Sequence, residues 1–385
     1  MIMIKDTGIY IHIPFCMRKC KYCDFLSFDM DTCTKSNATN IEKYFHGLWS
    51  EIRATASVNA RNIKTIFFGG GTPSMVDAHY IETTLQTIYE CFAVDKNAEI
   101  TIECNPGTLT KEKLDTYKKC GINRISIGLQ SADDHDLQVI GRIHTFDQFL
   151  ESYKLVKDAG FDNINIDVMS ALPYQTVESY IASLERIISL NPTHISAYSL
   201  ILEEDTPLYD MVNENKIPLP SEDDEREMYY KTHELLTKNG YKQYEISNYA
   251  KDDKHCKHNC LYWSRGEYFG FGLGSSSYIN GVRYKNISSF DAYISDAATP
   301  AALQIEQIPI SREESMSEFM YLGLRFTEGV CTDEFYNEFG VKLEEVFGAE
   351  IDKLISLKLL EATEKGYKLT KYGIDVSNYA MSFFV

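Results

Sequence analysis

The chain has 385 residues, of which 44% are hydrophobic and 24% charged, and its formal net charge is −18; this composition is typical of a soluble globular protein. The acidic balance leaves no basic stripe to neutralise phosphates, which argues against nucleic acid as a general partner. No apolar run reaches the length of a membrane span, and the first six residues are too short and too soon charged for a signal peptide, so the sequence predicts a cytoplasmic protein.

Short β-rich runs alternate with longer amphipathic stretches over the first half of the chain. The predicted strands are Ile9–Ile13, Ile63–Phe68, Glu99–Glu103, Arg124–Leu129, Asn163–Met169 and His194–Leu200. The predicted helices between them are Ile41–Ile52, Ile81–Cys91, Lys111–Cys120, Phe146–Ala159 and Val177–Leu190. Repeated strand, helix and strand units predict a parallel sheet with right-handed crossovers. Six such units predict an α/β fold of the incomplete parallel (β/α)6 barrel type.

The pattern changes after residue 239. Residues 243–285 are rich in Tyr, Gly, Ser and Asn, and residues 297–311 have the composition of a linker. The tail returns to helical patterns and a two-stranded ribbon, which together predict a winged-helix-like module. These elements are Glu313–Arg325, Thr332–Phe339, Glu350–Leu359, Leu360–Thr363, Tyr367–Leu369 and a last helix from Thr370. The predicted divisions are a barrel core at 1–245, a middle segment with a linker at 246–300 and a helical domain at 301–385.

Three closely spaced cysteines, Cys16, Cys20 and Cys23, follow the first predicted strand in a C-x3-C-x2-C pattern. Three thiolates can hold three irons of a cubane cluster and leave the fourth iron open for chemistry. A zinc site is the alternative, and it requires a fourth ligand. The candidates for that ligand are His12, Asp24 and Cys33. A disulfide would leave an odd thiol.

Conspicuous polar residues follow the other predicted strands, where ligands of a parallel barrel bind. They lie in Gly69–Pro73, Glu103–Pro106, Ser126–Ser131 with Arg142, Asn165–Asp167 and His194–Tyr198. The glycines allow a ligand to approach the backbone closely, although a plain tight turn explains them equally well. Carboxylates and amides suit an amine and ribose hydroxyls, and arginine suits a carboxylate. The set therefore predicts a zwitterionic, ribose-bearing ligand beside the cluster.

These motifs resemble the radical S-adenosylmethionine superfamily, and more narrowly its coproporphyrinogen III oxidase-like branch. The resemblance rests on residues 10–25, 69–73, 103–106, 126–131 and 166–173. It implies a 4Fe–4S cluster held by Cys16, Cys20 and Cys23, with S-adenosylmethionine on the open iron. By family position, that molecule is contacted by Tyr10, Gly70, Gly71, Thr72, Glu103, Gln130, Arg142 and Asp167, with Tyr22 near its adenine.

Two features separate the branches of that family. Oxygen-independent coproporphyrinogen III dehydrogenases resemble this chain but carry a further cysteine where it has Phe25, and they tend to have a longer N-terminal extension. Both differences favour similarity to the HemW-type haem chaperones, which bind haem and pass it to acceptor proteins. The dehydrogenase, which decarboxylates its substrate oxidatively in haem biosynthesis, and a radical enzyme with another substrate stay open as alternatives.

The segment His258–Trp263 resembles the H-N-x-x-Y-W motif that is linked to haem handling in those chaperones. The resemblance implies His258 as a haem-binding residue. The rival ligands are His255, Cys256 and Cys260. Alternatively, His258 and Asn259 brace a loop and Trp263 fills core. At 274–277 the chain has Gly-Ser-Ser-Ser where relatives have Gly-Ala-His-Ser. The implied partners are haem, a haem acceptor, an electron donor and, through such acceptors, the membrane surface.

Overall fold

The computed structural model describes residues 6–29, 36–57 and 61–385 of the chain. The strands are β1 (Asp6–Ile13), β2 (Phe15–Cys16), β3 (Phe28–Asp29), β4 (Asn62–Gly70), β5 (Ala93–Cys104), β6 (Arg124–Gln130), β7 (Ile164–Ser170), β8 (His194–Ser199), β9 (Lys242–Glu245), β10 (Asn248–Ala250), β11 (Glu267–Phe271), β12 (Ser276–Ile279), β13 (Val282–Asn286), β14 (Gln304–Pro309), β15 (Val330–Cys331), β16 (Leu360–Ala362) and β17 (Gly366–Leu369). The helices are α1 (Ser36–Ala56), α2 (Ala78–Cys91), α3 (Lys111–Lys119), α4 (Asp134–Val139), α5 (Phe146–Asp158), α6 (Val177–Ser189), α7 (Pro207–Asn213), α8 (Glu222–Lys238), α9 (Lys257–Trp263), α10 (Phe290–Asp296), α11 (Pro300–Leu303), α12 (Arg312–Gly323), α13 (Thr332–Phe339), α14 (Leu343–Ser356), α15 (Lys371–Asp375) and α16 (Ser377–Met381). Short 3₁₀ helices span Pro73–Met75 and Ser382–Phe384.

A 12-stranded sheet organises the chain, in the spatial order β14-β13-β12-β11-β1-β4-β5-β6-β7-β8-β10-β9. Its centre, from β11 through β1 and β4 to β8, is parallel, and both ends are antiparallel. The edge strands β14 and β9 lie at opposite ends of this order, so the sheet is open. This arrangement confirms the predicted α/β fold with an incomplete parallel barrel, and each of the predicted strands is present.

Alternation along the parallel strands separates a dry face from a polar face. On β1, Ile9, Ile11 and Ile13 are fully buried against the helix layer, whereas Tyr10 and His12 point to the opposite face. Successive side chains of a strand point to opposite faces, so every strand contributes apolar residues to one core and polar residues to one concave interior. The functional residues therefore share a face because of the strand period.

The segment 297–311, with the composition of a linker, is instead part of the sheet. It contains α11 and β14, and β14 pairs with β13 in the register Arg283↔Ile308. The hairpin from β12 to β13 turns at Asn280 and Gly281, both with positive φ (53° and 74°), which is the pattern of a tight two-residue turn. Strand pairing that is set from outside the segment overrides its weak local propensity.

A second hydrophobic core, formed by residues between Met316 and Phe384, lies in the C-terminal module. The first core extends to Leu303, so the predicted divisions at residues 245 and 300 do not coincide with the division between the cores. The module contains the predicted helices and ribbon, but α14 begins at Leu343 and includes a non-helical Phe347.

Across the described ranges, no helix combines the length and apolarity needed to traverse a bilayer.

Glu51 of α1 ties the helix layer to the sheet. Its carboxylate accepts hydrogen bonds from the Gly272 amide (2.9 Å), the Asn286 side-chain amide (2.6 Å) and the Tyr293 hydroxyl (2.6 Å). The residue is 3% exposed, and burial raises its pKa from 4.5 to about 7. A buried carboxylate with these partners holds the end of β11 against α1 and α10.

We expect Glu51 to make stability depend on pH. In the unfolded chain this carboxyl ionises near 4.5, and in the folded chain near 7. The folded state therefore holds the proton more tightly, and stability falls as pH rises through this interval. Relative to a Glu51→Gln variant, the parent should lose about 3 kcal/mol of unfolding free energy between these values. Urea unfolding at a series of pH values measures this.

The control variant for that experiment is Glu90→Gln, because the Glu90 side chain is exposed. Its stability should follow the pH dependence of the parent. A parent-to-Glu51→Gln difference that stays constant between pH 4.5 and 7 would contradict the prediction.

Candidate functional site

Cys16, Cys20 and Cys23 line one cavity of about 150 Å³ at the carboxyl ends of the parallel strands, which we term the cysteine cavity. Most of the predicted cofactor-binding residues line it with them: Tyr22, Gly70, Gly71, Thr72, Glu103, Gln130, Arg142 and Asp167. Tyr10 and His258 lie elsewhere. Parallel strands bring their ends to one edge of the sheet, which is why residues from six strand ends, including Tyr198 of β8, meet here.

Backbone hydrogen bonds fasten the glycine loop after β4 to the cysteine loop after β1. The Gly71 amide donates to the Ile13 carbonyl (2.8 Å), and the Thr72 amide donates to the Phe15 carbonyl (2.7 Å). A Cβ at Gly71 would lie 2.7 Å from the Phe15 carbonyl oxygen, and Gly70 has a φ of +107°. This close approach requires glycine at both positions, so the loops form one rigid wall.

Arg142 connects the cysteine loop to β6 and to the loop after β5. Its guanidinium donates to Cys20 Sγ (3.6 Å), to Asn105 Oδ1 (2.8 Å) and to the Gly128 carbonyl. Its Nε is buried and has no partner within the described residues. An arginine with an unused buried donor beside the cavity is suited to bind a carboxylate.

Two carboxyl groups, Glu103 and Asp167, line the same cavity as Arg142. Burial, and secondarily the charge of Asp167, raises the pKa of Glu103 to about 8, and burial raises the pKa of Asp167. Asn165 donates to Asp167 (2.8 Å) and orients it. Bringing a cation between these carboxyls would favour their ionised forms, so the pair is suited to an amine or to ribose hydroxyls.

Gln130 stands at an irregularity in β6. The register between β6 and β7 shifts between Gly128 and Gln130, and Gln130 has a φ of 77°. The Tyr198 hydroxyl donates to its Oε1 (3.1 Å). Bulges of this kind redirect a side chain next to functional sites.

The donor set of the cysteine cavity suits an iron–sulfur cluster. Soft thiolates are the usual ligands of such clusters, and each cysteine binds a different iron. Three His, Cys, Asp or Glu side chains do not converge on a single metal position anywhere in the described part of the chain. The candidate fourth zinc ligands His12 and Asp24 do not line this cavity, and Cys33 lies outside the described residues.

A larger cavity of about 810 Å³ opens beside the first, and we term it the aromatic cavity. Its aromatic lining residues are Tyr10, Phe25, Phe67, Tyr262, Trp263, Tyr268 and Tyr278. The two cavities share Phe25, Gly70, Glu103 and Asp167 as walls. Phe25 is 56% exposed and stands between them. A volume of this size suits a ligand much larger than an amino acid, with its edge close to the cysteines.

Helix α9 carries the H-N-x-x-Y-W motif and packs over the polar face of β1 and β4. The buried Glu99 carboxylate accepts from the Lys257 and His258 amides (both 3.1 Å) at its first turn. Tyr262 and Trp263, at the other end of α9, line the aromatic cavity. The helix thus forms part of the cavity wall.

His258 is buried, and neither ring nitrogen is free. Its Nδ1 bonds to Thr65 Oγ1 (2.8 Å), and its Nε2 bonds to the Tyr262 hydroxyl (2.7 Å). The ring stacks on Phe67 and lines neither cavity. In this arrangement both ring nitrogens of His258 are engaged and the side chain braces α9, while haem binding through His258 stays a prediction from the motif. A histidine ligand needs an unoccupied nitrogen aimed at the metal.

Of the rival ligands, only Cys256 lines the aromatic cavity. Its thiol faces Glu99 (3.8 Å), and burial raises its pKa to about 12. His255 stacks on Tyr244 with the ring centroids 4.1 Å apart. Neither His255 nor Cys260 lines either cavity. Among these rivals, Cys256 is therefore the residue that a haem in the aromatic cavity could contact, and its thiol favours the neutral form.

Arg124 is a site residue that the sequence did not single out. It is 2% exposed, lines the aromatic cavity and has a buried Nε with no partner among the described residues. Its charge lowers the pKa of Glu103 and Asp167, against the larger effect of burial. Arg124 and Ser126 are two positions apart on β6 and therefore share a face of the sheet, which is the sequence signal that could have identified Arg124.

Two family models match the chain. The Radical SAM superfamily model matches residues 10–187, and the HemN C-terminal domain model matches residues 310–376. The first extends from within β1 into α6 and includes the residues that line the cysteine cavity, except Tyr198. The second covers most of the C-terminal module.

Full-length relatives are similar along nearly the whole chain. The heme chaperone HemW of Lactococcus lactis subsp. lactis is 36% identical, covering 99% of this chain and 98% of the relative. The protein of the same name from Escherichia coli is 31% identical over the full length of both. The solved structure of coproporphyrinogen III oxidase (HemN) from Escherichia coli has a TM-score of 0.85 at 22% identity, covering 99% of this chain and 90% of that chain. At that identity the likeness shows the fold alone.

Proposed function

The chain belongs to the HemW family within the radical SAM superfamily, and from this we propose that it is a haem chaperone that binds haem in the aromatic cavity and passes it to acceptor proteins. The observation that carries the proposal is the pair of adjoining cavities: one holds the three cysteines, and the other is large, aromatic and separated from it by Phe25. A flat macrocycle packs favourably on aromatic side chains.

The family implies a 4Fe–4S cluster and S-adenosylmethionine, and the side chains that line the cysteine cavity are of the kinds that would bind both. We assign the cluster to Cys16, Cys20 and Cys23. When bound, the cluster supplies an electron to the sulfonium, and the protein supplies position and shielding from water. Arg142 would bind the carboxylate of S-adenosylmethionine. Glu103 and Asp167 would bind its amine and its ribose hydroxyls, and Gln130 would contact a polar group of the same molecule. The Gly70–Thr72 loop would form the wall beside it, and Tyr22 would lie near the adenine.

Tyr10 contributes to this site from the neighbouring cavity. Its hydroxyl bonds to His12 Nδ1 (3.2 Å), and the His12 Nε2 bonds to the Leu26 carbonyl (2.8 Å). Tyr10 would therefore act at the boundary between the two ligands. An electron donor, peripheral contact with acceptors at a membrane and a cytoplasmic location complete the proposal. The nine described cysteines, all free thiols, suit a reducing compartment.

A haem titration of anaerobically reconstituted protein tests the function. We expect a stable haem absorbance spectrum, and transfer of that haem to apomyoglobin as a generic acceptor. In parallel, coproporphyrinogen III is supplied with S-adenosylmethionine and a reductant. Formation of protoporphyrinogen would overturn the proposal in favour of the dehydrogenase, and failure of both porphyrins to bind would favour a radical enzyme with another substrate.

A His258→Ala variant tests the bracing role of this histidine. Loss of two buried hydrogen bonds and of the contact with Phe67 should lower the free energy of unfolding by about 2–4 kcal/mol. Apparent haem affinity is proportional to the folded fraction, so it is compared at a temperature where both proteins are fully folded. There the affinity of the variant should stay within about twofold of the parent. Chemical unfolding and haem titration measure the two quantities.

His46→Ala is the matched control, because the His46 side chain is 66% exposed. It should change stability by less than about 0.5 kcal/mol. A His258→Ala variant of normal stability that binds haem at least tenfold more weakly would contradict the bracing role and assign haem binding to His258.

A further inference from the structure

The hairpin β12–β13 forms one wall of the aromatic cavity. Ser276 and Tyr278 on β12, and Arg283 and Lys285 on β13, all line it. The register pairs Ser276 with Lys285 and Tyr278 with Arg283, and these positions alternate along each strand. Side chains at alternate positions of paired strands share one face, so the four side chains form a single surface turned towards the cavity.

This wall carries the positive charges of β13. Arg283 forms an ion pair with Glu318 of α12 (3.0 Å), hydrogen-bonds to Tyr268 and lies over the Tyr278 ring, 5.5 Å from its centroid. Lys285 is exposed, and it forms no ion pair within the described ranges. Its cross-strand neighbour on the outer side is Glu306 of β14. The wall is therefore a place where a carboxylate can find two cations on one strand.

Carboxyl groups also line the cavity, and they are Asp24, Glu103, Asp167 and Glu318. Of the lining cations, Arg124 interacts with Glu99, Arg265 pairs with Glu338 and Arg283 pairs with Glu318. Lys285 is therefore the lining cation that forms no ion pair within the described residues, and together with Arg283 it can attract a dianionic ligand.

We propose that Arg283 and Lys285 bind the two propionate carboxylates of haem in the aromatic cavity. The inference rests on the proposed haem-binding function and specifies how that ligand is held. It explains why an acidic chain carries an unpaired lysine and a partly paired arginine at alternate positions inside a cavity wall.

Esterified haem provides the decisive test. Reconstituted parent, Lys285→Gln, Arg283→Gln and the double variant are titrated with haem and with haem dimethyl ester, whose carboxylates carry no charge. Each single substitution should weaken haem binding about 3- to 10-fold and the double variant about 10- to 100-fold. The ester should bind the parent more weakly than haem does, and its affinity should not change among the variants. Lys96→Gln removes an exposed lysine outside the cavity and is the control.

Two outcomes overturn the inference while leaving the haem function intact: unchanged haem affinity in the double variant, or equal losses for haem and its ester. Failure of the parent to bind haem at all overturns the proposed function itself. Lys285→Gln guards against misfolding, because this lysine has no ion pair to lose.

Discussion

Replacing Cys20 with serine should abolish assembly of the 4Fe–4S cluster. Cys20 lines the cysteine cavity with Cys16 and Cys23, and a cluster with only two remaining thiolates loses a third of its protein ligands. After anaerobic reconstitution, iron and sulfide should fall from about four of each per chain to near zero. The substitution exchanges one atom at a partly exposed position, so the fold should persist. Iron and sulfide analysis, with circular dichroism, measures both.

The matched control is Cys331→Ser, since Cys331 is a partly buried free thiol in the C-terminal module. That variant should incorporate iron like the parent. A Cys20→Ser protein that keeps full iron and sulfide content would remove Cys20 from the cluster and favour another ligand set.

Replacing Arg142 with leucine should nearly eliminate binding of S-adenosylmethionine while sparing the cluster. The guanidinium supplies the unused buried donor beside the cavity, and its loss removes the proposed carboxylate partner. Truncating one partner of a buried charged pair costs about 2–5 kcal/mol, which corresponds to an affinity roughly 30- to 5000-fold weaker. Equilibrium dialysis with S-adenosylmethionine, on protein of measured iron content, checks this expectation.

Arg53→Leu is the control for charge removal, because the Arg53 side chain is 53% exposed on α1. Its affinity for S-adenosylmethionine should equal that of the parent. Should Arg142→Leu bind the molecule as tightly as the parent, Arg142 only fastens the cysteine loop. A combined loss of iron and of binding would instead assign it to cluster assembly.

The strands and most helices were predictable because their signals are local. Strand β6 was predicted at Arg124–Leu129 and ends one residue later, and α13 has its predicted bounds, Thr332–Phe339. Thr110 caps α3, since its hydroxyl accepts a hydrogen bond from the Lys113 amide (3.3 Å). Short-range periodicity and capping determine such elements with little help from the rest of the chain.

The hairpin wall and the setting of the H-N-x-x-Y-W motif were not predictable in the same way. Strand β14 exists because β13 offers it hydrogen-bonding partners, and the sequence of 297–311 does not reveal that. The motif suggests a ligand at His258, but Thr65, which lies 193 positions away, occupies one nitrogen. A motif names residue types, whereas the freedom of a nitrogen depends on neighbours that the fold supplies.

The sequence by itself determined the thiol spacing, the succession of strands and helices along the chain, and the positions of polar residues at strand ends. Each of these depends on residues that are close together in the chain. Tertiary structure decided which of those residues share a cavity, that a second cavity adjoins the first across Phe25, and that β13 faces its interior. The physical reason is that cavities and burial arise from strand pairing between distant segments, such as β1 with β11, and a linear pattern cannot specify such pairing.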